Sequence, residues 1–528
     1  MEKGRFYFLH RVFLVCIIIL VARLFLIQIL ERPYLYEKAI SQWTKPEEKA
    51  VRGGIYSRNN FLLLDTMRKK VAYISPGWLN EDEKNKLIKN GIIEEKDLKE
   101  PYIKITEASK IKTIEEFEKV SPGILIYNEI ERYGENALAT HLVGLDGKSG
   151  IEKAYDKILG QSKKNEEIFF DGIGQPIKGT IKESNKTSWG VYLTIDENIQ
   201  KKAEEILDKE ANKGAVVVLD AKTGEILAMA SRPNFKQKFV ENYLNDPDSP
   251  LLNRALMPYI PGSIFKLVVL SAALEENITD LDEVFDCPGY IKVGGNIFKC
   301  VSYKNGGHGK ITLKDALAYS CNVVFIELGL RLGNEKIIEY AKKFGLGEKV
   351  LEDIPEEKAG FIPDPKNLYY QDLGNISIGQ GKIQITPIQA AKMMLTIVNG
   401  GQEIKPHVVK KIINKDGQII FDDSNVNYVG KRVISQETAN KIKEALKAAC
   451  LYGSAVKANL PDEKKSAGKT GTAELGDGTN HAWFVGYYPY DDPKYIVSIF
   501  LEKGGSGPSN AAPLFAKIIQ EIKGLQNL

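Results

Sequence analysis

The sequence predicts a mixed α/β (α+β) fold behind a membrane anchor, and three observations predict it. Residues 12–30 form one long apolar run near the N-terminus. β-rich segments occupy 214–231 and 482–502, and mainly helical patterns fill the chain between them. Strands from both ends of such a region can join one sheet that helices cover. With 528 residues, the chain is long enough for two or three domains.

The apolar run at 12–30 is interrupted only by Arg23 and Gln28. Its 19 residues come close to the roughly 20 that a helix needs to cross a bilayer. No small-residue cleavage site follows, so we expect an uncleaved single-pass anchor. Three basic residues lie on each side of the run, so charge bias does not orient it. Arg23 either extends to the membrane surface or contacts another membrane protein, and the sequence leaves both open.

A first region outside the anchor covers residues 31–190. It begins with a charged segment at 31–50 that we predict to be a helical stalk. A stretch at 80–100 that is dense in Lys and Glu is typical of solvated amphipathic helices. Another helix is predicted at 151–159. No group of residues in this region indicates catalysis.

A second region covers residues 191–528 and begins with a helix for which Asp196 is the predicted N-cap. The β-rich segments at 214–231 and 482–502 are each predicted to form a hairpin. A final helix is predicted at about 511–523. This region contains the residues that point to chemistry.

Composition excludes several classes of function. Net charge is +3 with acids and bases interspersed, so no nucleic-acid surface is predicted. The five Cys and five His residues show no metal-ligand spacing, so we expect neither a structural metal nor a cofactor. Cys287 and Cys300 can form a disulfide if the region is exported, and the sequence does not decide this.

The stretch 257–276, "MPYIPGSIFKLVVLSAALEE", places Ser263 and Lys266 at the start of an apolar helix. Residues three apart share one helix face. Burial disfavours an ammonium ion and lowers the pKa of Lys, so Lys266 can take the proton that makes Ser263 a nucleophile. The alternative is a lysine that extends its charge past its neighbours into water.

Short motifs of this kind recur by chance, and the surrounding sequence distinguishes chance copies from functional ones. The other copies lie in a charged segment, in a polar turn and at a hairpin tip, where structural roles suffice: Ser109/Lys112, Ser57/Asn59 and 222–224. A further copy, Ser466/Lys469, shares its lysine with a Lys-Thr-Gly motif.

Two more segments have a favourable context. Lys469-Thr470-Gly471 opens a predicted strand, whose edge can pair with an extended peptide while the lysine and threonine hold a carboxylate. Gly471 permits close backbone approach. Ser320 and Asn322 lie in an apolar helical region, where buried polar side chains need partners.

The three motifs, Ser263-Ile-Phe-Lys266, Ser320-Cys-Asn322 and Lys469-Thr-Gly471, occur in the order and approximate spacing of the penicillin-binding proteins. The stretches at 52–60, "RGGIYSRNN", and 150–160, "GIEKAYDKILG", resemble the N-terminal pedestal of that family. The stretch at 379–391, "GQGKIQITPIQAA", resembles its catalytic domain. The whole chain resembles a class B, monofunctional member.

The resemblance implies a domain organisation and a fold. The catalytic domain is expected to be of the penicillin-binding and serine β-lactamase type, with a central antiparallel sheet flanked by helices. The implied parts are a cytoplasmic tail at 1–11, a transmembrane anchor at 12–30, a stalk and pedestal at 31–190, and a transpeptidase domain at 191–528.

The resemblance also implies a reaction on peptidoglycan stem peptides. Ser263 would attack the carbonyl between two D-alanines and form an acyl-enzyme, which an amine of a neighbouring stem then converts to a crosslink. β-Lactams would acylate the same serine. In this reading Lys266 would be the general base, Ser320 would relay a proton, and Asn322 would bind the substrate amide or support Lys266. Lys469 and Thr470 would bind the terminal carboxylate, and Gly471 would permit close approach. The N–H groups of Ser263 and Thr472 would form the oxyanion hole.

Other functions stay open or are disfavoured. No Glu-x-x-Leu-Asn motif follows Ser320, so a water-activating group of the class A β-lactamase kind is not predicted. A D,D-carboxypeptidase would use the same motifs with water as acceptor. A non-catalytic scaffold of the wall machinery is the alternative from another class.

The implied substrate lies outside the membrane, so residues 31–528 are expected on the outer face. The resemblance implies a membrane glycan polymerase as partner, reached through the transmembrane helix and pedestal, with Arg23 as a candidate contact. The sequence does not distinguish elongation, division and sporulation.

Overall fold

The computed structural model describes residues 2–31, 52–100, 102–118, 121, 123–161 and 189–526. The predicted stalk helix at 31–50 lies outside these residues except for Glu31. The described strands are β1 (Gly54–Tyr56), β2 (Met67–Ile74), β3 (Ile103–Ile105), β4 (Ile124–Glu131), β5 (Gly190–Leu193), β6 (Gly214–Asp220), β7 (Ile226–Arg232), β8 (Val284–Cys287), β9 (Tyr290–Val293), β10 (Asn296–Lys299), β11 (Gly309–Thr312), β12 (Gln402–Ile404), β13 (Val409–Ile413), β14 (Ile419–Asp422), β15 (Val429–Arg432), β16 (Ala467–Glu474), β17 (Asn480–Tyr488) and β18 (Tyr495–Leu501).

Helices occupy most of the remaining described chain. They are α1 (Glu2–Phe25), α2 (Glu81–Lys89), α3 (Ala108–Glu118), α4 (Thr140–Val143), α5 (Gly150–Ala154), α6 (Asp156–Leu159), α7 (Glu197–Glu210), α8 (Lys266–Glu275), α9 (Leu313–Ala318), α10 (Asn322–Lys343), α11 (Asp372–Ile376), α12 (Pro387–Val398), α13 (Gln436–Leu451) and α14 (Ala512–Gln526).

The first helix is the predicted anchor. An apolar stretch from Phe6 to Ile29 is long and apolar enough to cross a membrane, and the described part of the chain buries none of its most apolar window. It begins earlier than the predicted run at 12–30, because Phe6, Tyr7, Phe8 and Leu9 extend the apolar surface. Arg23 near its end forms an ion pair with Glu31 at 3.1 Å.

The chain divides into two compact units. One contains Met67–Glu131, in which β2 pairs with β3 and β4 and the helices α2 and α3 cover the sheet. Asn80 and Glu83 form a capping box at the start of α2, which confirms a helix in the stretch dense in Lys and Glu. The core of this unit is small and aliphatic, with Ile74, Leu87 and Ile114 at its centre.

The second unit is built on one five-stranded antiparallel sheet of order β16-β17-β18-β6-β7. Alternate residues of β6 point to opposite faces, so Val217 and Val216 belong to different cores. Helices α8 and α12 pack on one face, and α7 and α14 pack on the other. This arrangement confirms the mixed fold class and the two predicted hairpins, β6–β7 and β17–β18.

The two predicted flanking helices are also present. Asp196 caps α7 by accepting the N–H groups of Asn198 and Ile199. The final helix, α14, covers Ala512–Gln526. The helix predicted at 151–159 is divided into α5 and α6, which meet at Tyr155.

The second unit also contains Arg52–Thr66 and Arg132–Ser162, so the compact units do not divide at the predicted boundary of residue 190. Pairing explains the difference. β1 pairs in parallel with β5, and the same four-stranded sheet continues with β13 and then β14. Arg52 and Arg132 both bond the fully buried Glu152 carboxylate, at 3.2 and 2.6 Å. A buried carboxylate with two guanidinium partners holds these distant segments together.

Candidate active site

Ser263 lies in a short 3-10 turn, Gly262–Phe265, that continues directly into α8. Gly262 has φ +58°, and a Cβ there would lie 2.5 Å from the carbonyl oxygen of Thr472. Only glycine combines that backbone angle with such close approach. In a 3-10 turn residues i and i+3 stack, so Lys266 follows Ser263 on the same side.

Lys266 is fully buried, which excludes a lysine that extends to water. Its Nζ donates to Ser320 O and Asn322 Oδ1, both at 2.8 Å, and to Ser320 Oγ at 3.3 Å. No carboxylate pairs with it among the described residues. Burial lowers the pKa of Lys266 to about 8. This amine is therefore uncharged in about one molecule in ten at pH 7 and in about half of the molecules at pH 8.

The Ser263 hydroxyl is half-buried and makes no hydrogen bond within the described chain. Sequence leads us to expect a direct contact between this hydroxyl and the Lys266 amine. The amine instead has its three donor positions directed to Ser320 and Asn322. Ser263 is left open for an incoming carbonyl. The uncharged form of Lys266 has two N–H bonds, so it keeps at most two of these contacts as donor and has a lone pair for the serine proton.

The segment between α9 and α10 brings Ser320 and Asn322 to the lysine. Ser320 has φ +58°, a conformation that is uncommon outside glycine, and its carbonyl and hydroxyl both turn toward Lys266. Asn322 begins α10, and its Nδ2 donates to Lys299 O at 3.0 Å. The two side chains thus both contact the Lys266 amine.

Lys469 reaches the same hydroxyl from β16, the edge strand of the five-stranded sheet. Its Nζ donates to Ser320 Oγ at 2.9 Å and to Thr470 O at 3.1 Å. It is fully buried, again without a carboxylate partner in the part of the chain described. Burial, and then the charge of Lys266, hold the pKa of Lys469 well below its usual range.

The structure therefore brings all three motifs into one cleft, and the comparisons with known proteins agree on the family. Residues 214–520 match the family described as "Penicillin binding protein transpeptidase domain". The chain belongs to the penicillin-binding protein transpeptidase family.

Two curated relatives of this chain come from different bacteria. The chain is 33% identical over 413 residues to "Peptidoglycan D,D-transpeptidase MrdA" of Haemophilus influenzae, covering 71% of this chain and 62% of the relative. It is 32% identical over 422 residues to "Stage V sporulation protein D" of Bacillus subtilis, covering 75% and 64%. The matched part thus spans less than two thirds of either relative.

A solved structure is similar over nearly the whole chain. The protein described under "Structural coordination of polymerization and crosslinking by a peptidoglycan synthase complex" has a TM-score of 0.75 and 26% identity, and the similarity covers 99% of both chains. The family resemblance and the fold class predicted from sequence are confirmed.

The backbone donors expected in this family lie on two touching segments. A Cβ on Gly471 would lie 2.8 Å from Pro261 O, and Gly262 meets Thr472. The Thr472 hydroxyl accepts the N–H of Gly507 at 3.1 Å. The N–H groups of Ser263 and Thr472 thus belong to two segments that only glycines allow to approach this closely.

Sequence reasoning missed two supporting residues of this transpeptidase cleft. Ser454 Oγ lies 3.0 Å from Thr470 Oγ1, and its N–H donates to Ala318 O. Gln380 donates to Thr472 O at 3.4 Å. Gln380 lies in the stretch 379–391, which resembles the family in sequence. Ser454 follows the end of α13 and belongs to no recognised motif.

The other motif copies have structural roles. Ser109 is exposed on α3. Ser57 Oγ accepts the N–H groups of Asn59 and Phe61 in a turn. Asp220 accepts the N–H groups of Lys222 and Thr223 at the β6–β7 hairpin.

Among the residues that the structure describes, two side-chain groups have donors suited to a metal. Glu225, His407 and Asp423 form one, but Arg58 and Lys410 already pair with Glu225 at 3.1 and 2.7 Å, which makes it an ion-pair network. The other group is Cys287, Cys300, His308 and Cys321. The sequence predicts no ligand set here because these residues are separated in the chain, and the fold brings them together. None of the cysteines is in a disulfide.

Proposed function

We propose that this protein is a peptidoglycan D,D-transpeptidase that works through an acyl-enzyme on Ser263. The observation that carries the proposal is the pair of fully buried, carboxylate-free lysines that converge on Ser320 Oγ beside Ser263. Buried lysines kept partly uncharged are suited to move protons and poorly suited to stabilise a fold.

In the first half-reaction, the amine of Lys266 takes the proton of the Ser263 hydroxyl while Oγ bonds to the carbonyl carbon between two D-alanines. The oxyanion is held by the N–H groups of Ser263 and Thr472, and one such donor is typically worth about 10²–10³ in rate. The C–N bond then breaks, and the proton passes through Ser320 to the departing D-alanine amine. Lys469 and Thr470 hold the carboxylate of the departing D-alanine.

In the second half-reaction, an amine of a neighbouring stem peptide attacks the ester carbonyl. The amine loses a proton through the same route, and the ester bond breaks to restore the Ser263 hydroxyl. The edge position of β16 supports this step, since an extended peptide can add to an unpaired strand edge through backbone hydrogen bonds. Asn322 holds Lys266 in the resting state and is free to bind substrate amide once the lysine moves.

The test is covalent labelling of the full chain in detergent with a fluorescent penicillin, followed by peptide mapping. We expect one adduct, on Ser263, and none in the Ser263→Ala variant. Label on another residue, or none on folded protein, would overturn the proposal. Incubation with a donor stem peptide and an amine acceptor then separates crosslinking from hydrolysis, since a D,D-carboxypeptidase releases only the shortened stem.

We further propose that the catalytic unit lies on the outer face of the membrane and that α1 contacts a glycan polymerase. The similar solved structure belongs to a complex for polymerization and crosslinking, which supports such a partner. Arg23→Leu is expected to reduce co-purification with a polymerase, with Lys3→Leu as a matched charge control. Unchanged recovery of the polymerase would remove Arg23 from the interface.

A further inference from the structure

A cavity of about 320 Å³ lies in the second unit, and no residue of the proposed reaction lines it. Its walls come from the end of α10 and the loop that follows, from α12, and from the ribbon of β12 and β15. Its volume is at the lower end of the range in which proteins bind small ligands. The lining contains six lysines: Lys342, Lys343, Lys349, Lys392, Lys405 and Lys431.

The buried floor of the cavity is the pair formed by Lys392 and Glu403. The Lys392 Nζ lies 2.8 Å from Glu403 Oε1, and both side chains are about nine-tenths buried. An ammonium ion has three N–H donors. Glu403 is the acceptor that Lys392 contacts among the described residues, so two donors of this buried charge remain for a ligand in the cavity.

Two glycines keep this pair uncovered. A Cβ on Gly345 would lie 2.5 Å from Lys392 Nζ, and a Cβ on Gly430 would lie 2.2 Å from Glu403 Oε2. Gly345 has φ +74°, so its backbone angle by itself favours glycine. Gly430 has no such angle, and there the close approach to the carboxylate excludes a larger residue. Side chains at these two positions would fill the floor of the cavity.

The exposed rim of the cavity has more lysines than glutamates. Four lysines there make no ion pair among the described residues, and two glutamates, Glu348 and Glu352, are likewise unpaired. Lys343 pairs with Glu339 at 2.7 Å, so the rim has an excess of two positive charges. A concave site with such an excess attracts anions. The four unpaired lysines are Lys342, Lys349, Lys405 and Lys431.

The composition of the lining favours phosphate over carboxylate. A phosphate group carries about 1.5 to 2 negative charges at pH 7 and offers three strong acceptor oxygens, which matches the excess charge of the rim. Lysine binds phosphate as a point charge. Carboxylates are bound best by the planar fork of arginine, and the lining residues that the structure describes include no arginine.

We propose that this cavity binds a phosphate-bearing anion, with Lys392 as the buried donor and with Lys405 and Lys431 among the charges that hold the anion at the rim. Two sources supply this chemistry, inorganic phosphate and the phosphodiester units of an anionic polymer outside the membrane. The site does not depend on the proposed function, and only the polymer source uses the placement on the outer face proposed above.

Binding is measured on the full chain in detergent, by fluorescence anisotropy with a labelled glycerol-phosphate hexamer. The hexamer should bind, inorganic phosphate should compete for the site, and the affinity should fall as salt is raised. Competition by phosphate at an equal concentration of phosphate groups makes free phosphate the source, whereas a hexamer that binds more than tenfold more tightly makes the polymer the source. Absence of binding, or equal competition by a glutamate hexamer, would overturn the proposal.

Variants at the rim test the location of the site. The double variant Lys405→Ala/Lys431→Ala should bind the hexamer about 2- to 30-fold more weakly, because two exposed charge pairs are lost. Lys209→Ala/Lys366→Ala is the matched control, since it removes two exposed lysines outside the cavity, and it should bind normally. Equal losses in the two double variants would mean attraction to net charge alone and would overturn the site.

Acetylation of lysines in the unmodified protein, followed by peptide mapping, gives a result that does not depend on the folding of a variant. The hexamer should protect Lys405 and Lys431 and leave Lys209 and Lys366 reactive. Unprotected rim lysines would overturn the proposal. Neither measurement requires turnover, so a failure here leaves acylation of Ser263 untouched, and a failure of penicillin labelling leaves the anion site untouched.

Discussion

Two regions of the second unit bury lysine side chains, and the regions differ in the groups that surround the amine. In the catalytic cleft, the partners of Lys266 and Lys469 within the described chain are all neutral oxygens, and burial lowers the pKa of both lysines. On α12, Lys392 lies against Glu403 of β12 at 2.8 Å, with both side chains about one tenth exposed. Burial raises the pKa of Glu403, but the hydrogen bond and charge of Lys392 outweigh it, so the net shift is downward.

Burial alone therefore does not identify a catalytic lysine. A buried lysine that pairs with a carboxylate holds two elements together, here α12 and β12. A buried lysine beside hydroxyl, carbonyl and amide groups is available as a base.

The largest effect is expected from Lys266→Met. Loss of a general base typically lowers a rate by about 10²–10⁴-fold, and no carboxylate is orphaned because none pairs with Lys266. Acylation by fluorescent penicillin, measured under single-turnover conditions, should fall by that factor while thermal unfolding changes little. Lys392→Met is the matched control and should acylate normally when folded. A loss of less than tenfold would remove Lys266 from the role of base.

The second effect concerns stability at the paired lysine. Lys392→Met leaves the Glu403 carboxylate buried and unpaired, which costs about 3–5 kcal/mol in fully buried pairs, and we expect the lower end because both side chains keep some exposure. Urea unfolding measures the loss. The double variant with Glu403→Leu should recover most of it. If single and double variants are equally unstable, the pair is not what holds α12 to β12.

The third effect is a pH dependence that only the cleft should show. Lys266 must be uncharged to accept a proton, and its pKa is about 8. The acylation rate should therefore fall about tenfold for each pH unit below that value and level off above it. Single-turnover rates between pH 6 and about 9 test this, with urea unfolding as the control for global stability. A flat profile would mean that the amine is already uncharged at neutral pH.

The smallest effect is expected from Ser454→Ala, which removes the hydrogen bond to the Thr470 hydroxyl. A neutral hydrogen bond contributes about 0.5–1.5 kcal/mol, which corresponds to about 2- to 12-fold. The change should appear in the KM for the donor peptide, because in the proposed mechanism Thr470 binds the carboxylate of that peptide, and kcat should be largely kept. An unchanged KM would show that Thr470 is positioned without Ser454.

Much of the cleft was accessible from sequence because its residues come in short motifs. Ser263 and Lys266 are one helical turn apart, so their common side follows from local geometry. Lys469 opens a strand that the pattern identifies, and the hairpins β6–β7 and β17–β18 follow from alternation and turn residues. The two glycines at 262 and 471 are explained only by close approach between segments far apart in the chain.

The division into compact units was not accessible in the same way. The segments 52–66 and 132–161 belong with the catalytic unit because β1 pairs with β5 and Glu152 joins two arginines. The same holds for the group formed by Cys287, Cys300, His308 and Cys321. Cys287 and Cys321 are separated by 33 intervening residues, and no local pattern brings them together. Such contacts depend on how ribbons and helices pack, which single-sequence patterns do not encode.

By itself, the sequence determined the apolar anchor, the mixed fold and the serine, lysine and strand motifs, since each depends on residues close together in the chain. The tertiary structure was needed to show that both amines share Ser320 Oγ, that neither pairs with a carboxylate among the described residues, and that three cysteines and a histidine meet beside the Ser320–Asn322 turn. The physical reason is that the charge state of a buried group depends on its spatial neighbours, and those are set by packing.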